Sequence, residues 1–159
     1  MHHVILSFFT MQELLKQIEI KNSYHGFKIL NPASDNKIVE LEHKIGCKLP
    51  EDFIQFYSLC NGFECLEDIF NFLSVDTILA NNDYGDHWFL FAEYMIFSDS
   101  WGLRKKEDGD FEFFSSANTI SSNSLAGFLQ AFSKGNVFGN DGIYEWEKKH
   151  IKDNPIIQP

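Results

Sequence analysis

The stretch Ile38–Phe63, IVELEHKIGCKLPEDFIQFYSLCNGF, decides how this chain is read. In its first half Ile38, Leu41 and Ile45 recur at spacings of three and four, so they share one face of a helix. Gly46 follows where a helix end takes the left-handed conformation. Pro50 stands where the first turn of a second helix tolerates proline. Glu51 and Asp52 set negative charge beside that helix's positive end. Phe53, Phe56, Tyr57 and Cys60 form its buried stripe, and Asn61-Gly62 stops it. The stretch thus reads as two short amphipathic helices joined by a tight Gly-Cys-Lys-Leu-Pro connection.

Toward the N-terminus, Thr10 and Glu13 make a capping-box pattern, with Phe9 and Leu14 placed as a hydrophobic staple. A helix over 11–20 follows, burying Leu14, Leu15 and Ile18, and then a short extended piece at Phe27–Leu30. Toward the C-terminus the period changes. Ile69–Val75 suits a strand with a short helix after it, and 81–86 is a turn-rich polar loop. Trp88–Phe91, Tyr94–Phe97, Leu103–Lys106 and Phe111–Phe114 read as strands, the last two joined through Asp108-Gly109 as a hairpin. Ser121–Ser124 offers caps for a helix that buries Leu125, Phe128, Leu129 and Phe132 and ends at Gly135-Asn136. A short polar helix is expected near Ile143–Ile151. This order gives an α+β fold over 1–159, one domain with helices packed on an antiparallel or mixed sheet.

The central stretch resembles the SMI1/KNR4 family of the SUKH superfamily. The residues that carry the resemblance are Glu42, Ile45-Gly46, Leu49-Pro50, Asp52-Phe53, Phe56 and Asn61-Gly62. Each also reads as a cap, a turn or a core position, and none supplies a nucleophile, so the resemblance implies a fold and not a catalyst.

Composition bounds the rest. At 159 residues, 44% apolar and with 17 phenylalanines, the chain carries enough apolar surface for a core without staples. Cys47, Cys60 and Cys65 are an odd set without a paired framework, which fits a reduced, cytoplasmic setting. A net charge of −10 disfavours nucleic acid as a direct partner and favours a basic one. Val4–Phe9 is too short and lacks the basic flank of a secretory leader, and no run reaches the length of a membrane span.

The chemistry-bearing patterns are thin. Asp83, Asp86 and His87 lack the alternating carboxylates of a calcium loop. Cys60 and Cys65, with His43 and Cys47, lack zinc-site spacing. No Gly-x-Ser-x-Gly elbow and no phosphate loop occurs. Glu93 and Asp99 could share a site, but a solvated acidic face is the simpler reading. Arg104-Lys105-Lys106 runs straight into acidic residues, as a hairpin end would. Catalytic residues, metal and cofactor are therefore all expected to be none.

What remains is a surface. Glu64, Asp68, Asp83, Asp86 and Asp99 are acidic candidates, and Tyr84 and Trp101, each beside Gly in loop-like sequence, are aromatic ones. The resemblance implies an immunity protein, which binds and neutralises a cognate toxin such as a nuclease; a monomer or weak dimer is expected. It implies second a regulatory scaffold linked to cell-wall synthesis or signalling, of the kind that carries long disordered flanks. The positions it marks as structural are Glu42, Gly46, Leu49, Pro50, Phe53, Phe56, Asn61 and Gly62.

Overall fold

The computed structural model describes residues 10–152. The staple residue Phe9 and the apolar run at 4–9 lie outside them. The first helix, α1 (Met11–Lys21), starts at a complete capping box: Thr10 accepts from the Glu13 backbone and Glu13 returns to the Thr10 backbone. Strand β1 (Phe27–Ile29) follows. Then come α2 (Asp35–Ile45), closed by Gly46 at φ 80°, and α3 (Glu51–Leu59). Pro50 is the cap residue before α3, at ψ 155°, and not part of its first turn. A residue at the cap needs no helical ψ, and the proline ring still fixes the φ that leads into the helix.

Beyond Gly62 the chain builds most of a sheet. Strands β2 (Phe63–Cys65) and β3 (Phe70–Phe72) form a hairpin. Helix α4 (Val75–Asn81) and the two-residue β4 (Tyr84–Gly85) follow, so the polar loop at 81–86 contains a short strand. Strands β5 (Trp88–Tyr94), β6 (Asp99–Lys105), β7 (Phe111–Ser115) and β8 (Thr119–Ile120) continue as a meander. The order is β1-β2-β3-β5-β6-β7-β8 with β4 beside β5, and every described pairing is antiparallel. Helices α5 (Leu125–Gly135) and α6 (Ile143–Lys149) close the described chain.

Two expectations fail in the meander. Tyr94–Phe97 is not a strand: β5 runs unbroken to Tyr94, and Met95, Ile96 and Phe97 form the turn, each with positive φ. An apolar run cannot be told from an extended strand by composition alone. Trp101 is not in a loop but in the middle of β6. Helix α6 is also less polar than expected, for it buries Ile143, Trp146 and Glu147.

Aromatic rings fuse the layers. Phe53 of α3 meets Phe89, Phe91 and Phe113 of the sheet edge-on, at 5.6, 5.3 and 6.2 Å between centroids. Phe128 and Phe132 of α5 lie on Phe91 at 5.1 Å and on Phe70 at 4.7 Å. All these rings are buried. On the other face of the sheet, register lines up Lys28, Glu64, Asn71, Glu93 and Ser100 across five strands. That alternation is what an antiparallel sheet with one packed face requires.

Gly62 is where the helical and sheet halves meet. Its φ is 93°, and a Cβ there would stand 2.2 Å from the Phe72 carbonyl oxygen. Gly109, in the β6–β7 turn, has a φ of 95° but open space around it. Gly109→Ala is expected to cost about 1 kcal/mol, the left-handed penalty alone. Gly62→Ala is expected to cost roughly 3 kcal/mol, because a steric clash with β3 backbone adds to it. Urea unfolding of both variants checks the difference; equal losses would refute the contact.

Candidate functional site

The motif residues are engaged in holding elements together. Glu42 Oε2 accepts the Leu49 backbone N–H at 2.8 Å and so clamps the α2–α3 connection. Gly46 donates back to the Glu42 carbonyl at 2.9 Å. Leu49, Phe53 and Phe56 are buried. Asn61 Oδ1 accepts from Val75 N–H at the start of α4, and its Nδ2 donates to Asp76, both at 2.8 Å. Asp52 Oδ2 accepts Leu125 N–H at 3.1 Å, joining the first turns of α3 and α5. Burial pushes the Asp52 carboxyl up, and that hydrogen bond only partly offsets it.

The acidic and aromatic candidates do not converge. Asp83, Tyr84 and Asp86 lie beside the start of β5, whereas Asp68 and Asp99 lie beyond its far end. A seven-residue strand, roughly 20 Å, separates the two groups. Asp86 is freely exposed, while Asp83 is half-buried, with its Oδ2 unpartnered and its carboxyl pushed up by burial. Tyr84 is half-buried on β4. Glu64 sits in the polar row of the open sheet face, between Lys28 and Asn71. Asp68 accepts from Asn136 Nδ2 at 2.5 Å. Asp99 accepts the Tyr144 hydroxyl at 2.6 Å and also binds Ser116.

Trp101 is a correction. It is completely buried, and its indole N–H donates to Glu147 Oε1 at 2.8 Å, so no partner reaches it in the folded protein. The glycine beside it suggested a loop, but Gly102 serves close packing. A Cβ there would lie 2.4 Å from the Phe114 ring. Glu93 and Asp99 also cannot form an acid pair. Glu93 pairs across the hairpin with Ser100, and Asp99 with Tyr94, so their side chains leave opposite faces.

Sequence reasoning missed Glu147. It is buried on α6 and accepts three hydrogen bonds, from Trp101, from Ser115 Oγ at 2.7 Å and from Asn118 Nδ2 at 2.8 Å. The signal was present: Ile143, Trp146 and Glu147 share one face at spacings of three and four. Arg104 is likewise engaged. It stacks over Phe114 at 4.9 Å and binds Glu112 at 2.7 Å, which Lys152 also approaches at 3.2 Å. Burial alone would raise the Glu112 carboxyl, but the two cations outweigh it and hold it below the usual range.

Chemistry is sparse around these groups. Clefts of about 470 Å³ along α1 and about 330 Å³ between α5 and α6 are lined without Ser, Thr or Cys, whereas one of about 360 Å³ between α1 and α3 holds Thr10 and Ser58 and one of about 260 Å³ beside β7 holds Ser121 and Ser122. Burial raises all three thiols, Cys60 to about 11, so they stay protonated at neutral pH. Among the described residues no group of three His, Cys, Asp or Glu could hold a metal ion, and no helix is long and apolar enough to cross a membrane.

The fold, with its clamped helix pair and Asn-Gly junction, is that of a known class. The model of the SMI1/KNR4 family (SUKH-1) matches residues 32–156, and the chain belongs to this family. Helix α1 precedes the matched region and packs on α5 within it. A comparison with the curated proteins finds no match.

Two substitutions probe this interior. Glu147→Ala strips three donors of their acceptor and is expected to cost roughly 3 kcal/mol, with Glu147→Gln losing less because its amide oxygen still accepts. Thermal unfolding reads the ranking; an unchanged Ala variant would refute the role. Asp52 has a sign of its own. Its raised folded pKa favours the protonated form, so its contribution is full below the ordinary carboxylate range and fades as pH rises through the folded value. Asp52→Asn keeps an acceptor for Leu125 and is expected to remove that loss. Stability curves from pH 3 to 7 compare the two; parallel curves would contradict the assignment.

Proposed function

We propose that this protein is an immunity protein: it binds a cognate toxin domain, a nuclease or similar, and neutralises it without catalysis of its own. The observation that carries this reading is an acidic surplus, net −10, on a SUKH-1 fold whose motif residues are engaged internally. With those residues holding helix to helix and helix to sheet, recognition falls to the surface. A strongly negative surface attracts a basic partner over about a Debye length and excludes acidic ones. A nucleic-acid-processing toxin has such a basic face, because its substrate is a polyanion. Three unpaired thiols, held protonated, suit a reducing cytoplasm in which the producer must protect itself.

The test is co-expression. The C-terminal domain of a neighbouring large gene product is expressed in a host cell with and without this protein. Growth rescue together with co-purification is the expected result. Affinity is expected to fall about tenfold or more between 50 and 300 mM salt, as for charge-steered pairs. The absence of both rescue and complex would sink the reading.

A further inference from the structure

Two neighbouring hairpin turns carry apolar side chains in the places least suited to them. The β2–β3 turn is Leu66-Glu67-Asp68-Ile69, and the β5–β6 turn is Met95-Ile96-Phe97-Ser98. Ile69, Met95, Ile96 and Phe97 all have positive φ, between 51° and 62°. That region favours Gly and Asn and penalises a β-branched residue most. The same side chains face water, Ile96 at 85% exposed and Ile69, Met95 and Phe97 at 41 to 47%; Leu66 and Phe138, without positive φ, are 70% and 66% exposed.

These residues gather at one end of the sheet. Met95 N–H donates to the Ile69 carbonyl at 2.9 Å, which ties the two turns together. Phe138, from the α5–α6 loop, packs on Tyr94 at 5.1 Å, next to Met95. Glu93 supports the strained turn from below, accepting the Phe97 N–H at 2.8 Å. Neither solubility nor backbone preference explains isoleucine and phenylalanine here, and contiguous exposed apolar surface marks interaction sites.

Charge identifies the occupant. Four segments build this end of the molecule, residues 22–28, 63–72, 89–103 and 136–147. Together they hold eight Asp or Glu, of which Glu93 and Glu147 are buried, against Lys28 and His25 alone. We propose that the Leu66–Ile69 and Met95–Phe97 turns, with Phe138, are the docking surface for a folded basic protein that offers an apolar pocket rimmed by Lys and Arg. An aromatic-aliphatic centre within a charged rim is the usual make-up of an interface hot spot. The proposal rests on the immunity reading for its partner and names the surface that reading leaves open.

The experiment measures affinity for the toxin domain that co-expression rescue identifies, together with the melting temperature of the free protein. The variants are Ile96→Asn/Phe97→Gly, Leu66→Ser in the other turn, and Val39→Ser as an exposed apolar control on α2. The expected result is a loss of about 100-fold in both turn variants, wild-type binding by Val39→Ser, and free-protein melting unchanged or raised in Ile96→Asn/Phe97→Gly. Wild-type affinity in the turn variants would overturn this surface while leaving the immunity reading intact. Lower melting in both turn variants would make the turns structural and overturn it as well. A self-associating wild type that the turn substitutions dissociate would assign the patch to a second copy instead. No binding by the wild type would remove the immunity reading, and the basic partner with it.

Discussion

The structure depends on the aromatic stripe of α3 being pinned between the sheet and α5. Phe53 alone meets three sheet phenylalanines, and Phe56 meets Phe72 at 4.2 Å. A nine-residue helix is too short to be stable by itself. It persists because both ends are tied: Asp52 holds the start of α5, and Asn61 holds the start of α4. Gly62 then brings the chain against β3 with no room for a side chain. The motif is thus a set of joints between elements, which explains why it can define a family without defining a reaction.

The buried carboxylates extend the same logic. Glu147 and Glu93 look from composition like surface charge, yet Glu147 accepts from Trp101, Ser115 and Asn118, and Glu93 from Asn71 on the neighbouring strand and from nearby Phe97. Desolvating a carboxylate is unfavourable unless such donors surround it. Asp68 and Asp99 behave similarly in part, since both accept internal hydrogen bonds. A count of acidic residues therefore overstates the charge free to meet a partner, and the exposed apolar turns become the more specific mark on this surface.

Local signals were legible where they are written within a turn of helix. The Thr10–Glu13 capping box, the left-handed Gly46 and the Asp108-Gly109 turn all involve residues within four positions of each other. Glycine was ambiguous because it serves two physical needs. At Gly109 it permits a positive φ, whereas at Gly102 it admits the Phe114 ring, and the sequence looks alike in both places. Reading Gly102 as a loop signal placed Trp101 on the surface, when it lies at the centre of the core.

By itself the sequence determined the α+β class, the helix pair, and an acidic chain without a catalytic motif, because caps, periodicity and net charge are local or summed properties. Only the tertiary structure decided which carboxylates are buried, that the acidic candidates fall into separate groups, and that apolar residues crown two adjacent hairpins. Those facts depend on strand register and on contacts across the sheet. Register is set by how whole faces pack, and no short window of sequence contains it.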